Sequence, residues 1–164
     1  AKSPYKQYKN PNWSNYKITG TYVNSIVALQ DAVAKGADEA LILDNDGYIS
    51  EGSGENIFFL KDGLIMTPTT KNCLNGITRQ SVIEIAKGLG YKVEEGDWSY
   101  EHILECDEAF FTGTAVEVTP ITKIDGKIIS NGTVGSITKE IQTNYENAVL
   151  GTDDNSKNWL TYIE

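Results

Sequence analysis

Four short segments of this 164-residue chain carry residue types that could do chemistry. Lys17 stands in Tyr16-Lys17-Ile18-Thr19-Gly20-Thr21-Tyr22, between apolar residues and a glycine at the lip of a helix. A lysine partly buried there gives up its proton more readily and can form a Schiff base. Ser50-Glu51-Gly52-Ser53-Gly54-Glu55-Asn56 sets carboxylates and an amide in a loop whose glycines permit tight turns. Glu51 aimed into a pocket would pair with a cationic nitrogen. Asn75-Gly76-Ile77-Thr78-Arg79 opens a helix, where free N–H groups, the macrodipole and a Thr hydroxyl suit a phosphate-shaped anion. In Phe111–Pro120, Gly113-Thr114-Ala115 is a turn between strands whose amides could face a ligand. Taken singly, each segment also suits a plainer role: a solvated lysine, a polar connecting loop, an ordinary helix start, a β-turn of small residues.

The elements that must position these residues follow from periodicity and punctuation. Residues 1–16 are polar and rich in Tyr, Lys, Asn and Pro, and read as an extended lead-in or linker. Apolar residues at Tyr22, Val23, Ile26, Val27, Leu29, Ala32 and Val33 fall at helical spacing, with Gly36 as the stop. Ala40–Leu43 reads as a buried strand, Asp44-Asn45-Asp46-Gly47 as a turn, and Tyr48-Ile49 as the next strand's start. Ile57–Leu60, Lys61-Asp62-Gly63 and Leu64–Met66 make a β-hairpin, with Asp-Gly supplying the turn. Ile77–Leu89 is an amphipathic helix, Tyr91–Glu94 a strand, Tyr100–Leu104 a short helix and Ala109–Thr112 a strand. Val116–Thr119 and Ile121–Ile124 are strands, with Ile128-Ile129 as the arm of a second hairpin. A last helix runs from Gly135 or Ser136 through Val149, and the tail residues Trp159, Leu160, Tyr162 and Ile163 are expected to dock on the body. Hairpins mixed with crossovers predict an α/β class with a mixed sheet.

Composition excludes several functions. A hydrophobic content of 40% can build one well-buried domain, and 23% charged residues argue against wholesale disorder. The net charge of −9 argues against a nucleic-acid partner, which would want a basic face. No apolar run approaches the ~18 residues that a membrane span needs, and the opening AKSPYKQYKN has no apolar core of a secretory signal. The chain opens on Ala1 rather than Met, so the natural start is expected upstream. Cys73 and Cys106 form no CxxC pair and His102 is the only histidine, so no zinc site is expected; the cysteines read as reduced and the location as cytoplasmic.

In this order and at these separations, the four segments resemble the class IV aminotransferases, the group that holds branched-chain aminotransferase, D-amino acid aminotransferase and aminodeoxychorismate lyase. The resemblance runs from about Lys17 to the C-terminus; SEGSGEN, NGITR, GTAVEVTP and WLTYIE look like the branched-chain subgroup. It implies the larger, pseudo-barrel domain of the D-amino acid aminotransferase-like fold, a mixed sheet with flanking helices, over 17–164. It implies pyridoxal 5′-phosphate as cofactor. Lys17 would hold the cofactor as a Schiff base and shuttle the proton between Cα and C4′. Tyr22 would hydrogen-bond the phenolic oxygen, and Glu51 would pair with the pyridine nitrogen. Ile77 and Thr78 amides, with the Thr78 and Thr114 hydroxyls, would hold the phosphate. Thr114, Ala115 and Val116 would face the substrate carboxylate.

The resemblance implies transamination between branched-chain amino acids and 2-oxoglutarate by a homodimer or higher oligomer. D-amino acid aminotransferase or aminodeoxychorismate lyase chemistry stays open as an alternative on the same scaffold, as does a non-catalytic module retaining the fold; intact Lys17, Tyr22 and Glu51 argue against the last. Two departures stand out. Asn75 occupies a place where the branched-chain subgroup commonly has proline. The family's smaller N-terminal domain, which closes the pocket and adds an arginine to the phosphate site, has no counterpart in residues 1–16. The chain alone is therefore not expected to be a competent enzyme.

Overall fold

Lys2–Gln7 has no apolar alternation, and its backbone decides its place. In the computed structural model, which describes residues 1–7, 16–153, 157 and 159–163, Lys2–Gln7 is strand β1, paired in parallel with β2, Leu41–Asp44. This corrects the reading of that stretch as a lead-in; the remainder of the expected linker, 8–15, lies outside the described residues. Parallel neighbours need a crossover, and α1, Tyr22–Ala34, supplies it after a short 3-10 turn at Thr19–Thr21. Strand β3, Ile49–Glu51, returns antiparallel to β2 and completes a sheet of order β1-β2-β3.

The second sheet grows from the apolar run Ile57–Leu60. Strand β4, Asn56–Lys61, turns into β5, Leu64–Pro68, through Asp62 and Gly63, both at positive φ (49° and 77°) as a tight two-residue hairpin requires. Helix α2, Ile77–Gly88, crosses to β6, Lys92–Gly96, which lies parallel to β5. After α3, Tyr100–Leu104, strands β7, Glu108–Gly113, and β8, Glu117–Pro120, add antiparallel on the far side of β4, giving the order β6-β5-β4-β7-β8. Of the expected Ile121–Ile124 strand only Lys123–Ile124, β9, pairs, with β10 at Lys127–Ile128; helix α4, Ser136–Leu150, follows. Mixed sheets with flanking helices are as expected.

Strand β4 sits at the centre because both its faces are apolar, the mark of a strand covered on both sides. Ile57 and Phe59 join Leu41, Leu43, Ile49 and Met66 in a core shared by the two sheets. Phe58 and Leu60 join Val82, Ala86, Phe110 and Ile141 beneath α2 and α4, with the Phe58 and Phe110 rings stacked at 5.1 Å. Helix α1 departs from its pattern. It buries Ser25, Ala28 and Ala32 against the first sheet and leaves Val23, Ile26, Val27 and Val33 exposed. Small residues let the helix lie close on β2, and the bulky ones face outward. The tail docks only loosely: Tyr162 and Ile163 are 71% and 97% exposed, while the Leu160 side chain and the Tyr162 hydroxyl lie beside Gly151.

One polar device fixes the last helix. The buried Glu108 carboxylate accepts from the amides of Ile137 (3.2 Å) and Thr138 (2.7 Å) and from the Thr138 hydroxyl (2.7 Å), satisfying α4's free N-terminal donors from β7. A side chain on Gly135 would stand 1.9 Å from Glu108 Cδ, so only glycine fits there. Replacing Glu108 by Ala should lower stability by about 2 kcal/mol, read as a fall in the urea midpoint; an unchanged midpoint would deny the cap its role.

Candidate active site

Glu51 ends β3, where the smaller sheet meets the start of α2. Its Oε2 accepts from the Leu74 amide at 3.0 Å and its Oε1 from Gln7 Nε2 at 3.3 Å. The other side of Leu74 is held too: its carbonyl accepts from Asn56 Nδ2 at 2.7 Å. Asn56 begins β4, so a single residue ties the two sheets to the segment that launches α2. The same asparagine crowds Gly76, the N-cap of α2: a Cβ there would meet Asn56 Oδ1 at 2.2 Å.

The N-terminus of α2 presents Ile77 and Thr78. A helix's first amides have no intrahelical partners and carry the positive end of the dipole. Ile77 is exposed, whereas Thr78 is buried with its hydroxyl 3.4 Å from the Tyr145 hydroxyl of α4. The next residue, Arg79, is 2% exposed and turned away: its guanidinium donates to the Pro68 carbonyl (2.8 Å) and pairs with Glu95 (2.5 Å).

Pairing of Asn56 with Thr112 brings the end of β7 to this place. The turn after it carries the exposed Thr114 and Ala115 and the half-buried Val116. Gly113 lies against the glycine-rich loop, its Cβ position 3.7 Å from the Gly54 carbonyl. The loop, the helix start and the Gly113-Thr114-Ala115 turn therefore converge at one end of the larger sheet. Thr112 beside them is fully buried, and its hydroxyl has no hydrogen-bond partner.

Lys17 precedes the 3-10 turn, in which the Ile18 carbonyl accepts from the Thr21 amide and hydroxyl (3.1 and 2.7 Å). That turn folds Lys17 back so that its ammonium lies 5.8 Å from the centre of the Tyr22 ring. Lys17 is exposed rather than partly buried, because residues 16–21 all face solvent. Helix α1 reaches Glu51 through two side chains: Asn24 Nδ2 donates to Gln7 Oε1 at 3.3 Å, and Gln7 donates to Glu51. Gln7, Asn24 and Leu74 were not singled out in the sequence, and Asn56 appeared there only as the amide of the glycine-rich segment. Asn56 closes the glycine-rich motif and starts an apolar strand, which is the one signal that could have marked it.

Behind Glu51, Glu55 folds over its own loop. Its Oε2 accepts from the Gly54 amide at 3.0 Å, near the carboxyl of Glu39, which itself accepts from the amides of Ala40 (2.6 Å) and Ser53 (3.2 Å). Burial, opposed by the Gly54 amide, and the neighbouring charges of Glu39 and Glu51 raise the Glu55 carboxyl from its ordinary 4.5 to about 6.

Comparison with known proteins bears on this arrangement. The family model described as amino-transferase class IV matches residues 1–124. A branched-chain-amino-acid aminotransferase of Pseudomonas aeruginosa is 44% identical over 159 residues, 97% of this chain and 52% of that protein. A probable branched-chain-amino-acid aminotransferase of Aquifex aeolicus is 47% identical over 152 residues, 92% of this chain and 49% of its own length. The crystal structure of a branched-chain amino acid aminotransferase from Thermobaculum terrenum in its PLP-form matches with a TM-score of 0.93 at 36% identity, covering 98% of this chain and 53% of that one. The chain thus spans about half the length of the curated relatives it matches.

The raised Glu55 carboxyl gives the loop a pH signature. A carboxyl whose folded pKa is raised stabilises the fold when protonated, so this contribution is present below pH 4.5 and lost as pH climbs through about 6. Unfolding midpoints of the wild type should fall across that window relative to Glu55→Gln, whose uncharged amide cannot titrate. Parallel curves for the two proteins would show that Glu55 does not hold the proton.

Proposed function

The chain belongs to the class IV aminotransferases, and from that premise we propose that it is the cofactor-binding part of an enzyme that moves amino groups between branched-chain amino acids and 2-oxoglutarate with pyridoxal 5′-phosphate. The observation that carries this reading is the convergence of a clamped carboxylate, a helix N-terminus and a small-residue turn at one end of the larger sheet. The donor set suits the cofactor. Gly76 leaves no side chain over the helix start, the first amides of α2 suit an anion, and the buried Thr112 hydroxyl lies unpaired at the same strand end.

When bound, the pyridinium ring supplies an electron sink for the bond that breaks at the amino acid's Cα. Glu51 would keep the proton on the ring nitrogen, since an adjacent negative charge favours the cation. The Lys17 amine would serve as the base that takes the proton from the amino acid's Cα and delivers it at the cofactor's C4′. Tyr22 would donate to the phenolic oxygen. Ile77 and Thr78 amides, with the Thr78 and Thr114 hydroxyls, would hold the phosphate without taking part in proton transfer. Thr114, Ala115 and Val116 would receive the substrate carboxylate.

We read 17–164, joined by β1, as the cofactor-binding domain, with a smaller N-terminal domain in the full-length protein closing the pocket. The exposed Val23, Ile26 and Val27 of α1 support a covering partner, that domain or a second copy in a homodimer or larger oligomer. No helix of the described residues is long and apolar enough to cross a membrane, and the buried thiols of Cys73 and Cys106 suit a cytoplasmic setting.

Borohydride treatment of the full-length protein with its cofactor, followed by peptide mapping, should find the pyridoxyl group on Lys17; finding it on another lysine would end the assignment. Glu51→Gln should lower turnover of leucine with 2-oxoglutarate by on the order of a hundredfold, while borohydride still fixes the cofactor to Lys17. Undiminished turnover would remove Glu51 from the mechanism, and a substrate panel would separate the branched-chain reading from its D-amino acid alternative.

A further inference from the structure

We propose that Gln7 is a positioning residue for Glu51: it holds the carboxylate in place from β1 and couples it, through Asn24, to the helix that follows Lys17. The proposal rests on the reading of Glu51 as the partner of the cofactor's ring nitrogen.

Three observations carry it. Gln7 is buried, 8% exposed, though its residue type belongs at the surface. Both ends of its amide are used inside the fold, Nε2 donating to Glu51 Oε1 at 3.3 Å and Oε1 accepting from Asn24 Nδ2 at 3.3 Å. Its backbone cannot drift, because β1 pairs with β2 at Gln7–Asp44, and β2 in turn pairs with β3 at Ile42–Glu51. Asn24 is fixed from the same strand, also donating to the Lys6 carbonyl at 3.2 Å.

Leu74 and Gln7 do different things to Glu51. Leu74 holds Oε2 from the side of α2, and Gln7 holds Oε1 from the side of α1. A carboxylate held at both oxygens has its plane set, so its negative charge stays aimed at one place. Gln7 does this without a charge of its own. A neutral amide orients the carboxylate without itself neutralising it. Asn24 lies on the same helix as Tyr22, the residue beside Lys17, so the relay spans the two groups that would contact opposite parts of the cofactor.

Two sets of measurements on the full-length protein test this, one without cofactor and one with it. In cofactor-free protein labelled with nitrogen-15 glutamine, the Gln7 side-chain signal is identified by its loss in Gln7→Leu. It should shift in Glu51→Ala and again in Asn24→Ala; a signal unmoved by both would overturn the relay. With nitrogen-15-labelled pyridoxal 5′-phosphate bound, Gln7→Leu should move the ring-nitrogen signal toward its unprotonated position and lower kcat about ten-fold. Gln7→Glu guards against a mere packing defect, because it has the same shape. Its carboxyl, facing Glu51 with Glu55 and Glu39 behind, donates only when protonated, so kcat should recover toward wild type as pH falls. The Gln7→Leu deficit should not recover. Variants whose ring nitrogen and kcat match wild type, while Glu51→Gln changes both, would overturn the proposal. A ring nitrogen unmoved even by Glu51→Gln would bring down the reading of Glu51, and the proposal with it.

Discussion

The grip on Leu74 is the constraint on which the site depends. Its amide donates to Glu51 of the smaller sheet and its carbonyl accepts from Asn56 of the larger one. Between them these hydrogen bonds fix the peptide that leads into α2. A helix start that moved by an ångström would break both of these hydrogen bonds. The buried Asn56 amide, losing its partner, would meet the full desolvation penalty, so the arrangement resists alternatives as well as favouring itself.

The packing explains why these groups can stay where they are. Strand β4 is covered on both faces, by the shared core on one side and by α2 and α4 on the other. Asn56 stands at the mouth of that strand, where the apolar run gives way to the polar loop. Its amide is therefore anchored by the best-buried element of the fold. Glu108 repeats the principle at the far end of β7, where a carboxylate rooted in the sheet satisfies the start of α4. In both places a sheet residue fixes a helix terminus, and in both a glycine N-cap lets the two approach.

Charge around the glycine-rich loop is crowded. Glu39, Glu51 and Glu55 lie near one another, and the fold relieves the repulsion by raising Glu55 toward neutrality and lending backbone amides to Glu39. The relief leaves Glu51 as the carboxylate at the edge of the candidate site, between α1 and α2. The exposed side of α1 is open by contrast. Its small residues lie flat on the sheet, and the bulky Val23, Ile26, Val27 and Val33 face outward.

The sequence by itself determined the local elements and the residues able to do chemistry. Asp62-Gly63 dictated a hairpin because both positions must take positive φ, and the 3.6-residue spacing of Val82, Ala86 and their neighbours dictated α2. The four motifs, by residue type and order, were enough to suggest the family that the comparison with known proteins supports. Only the tertiary structure decided which partners those residues meet. Lys2–Gln7 carries no apolar pattern, so nothing local marks it as a strand; its place follows from hydrogen bonds to β2, which depend on backbone and not on side-chain type. Periodicity gave α1 an apolar stripe but could not say which side would be buried, and small residues won because they allow closer approach. The grip of Gln7 and Leu74 on Glu51 joins residues 44 and 23 positions apart, and contacts at that separation exist only once the sheets have paired.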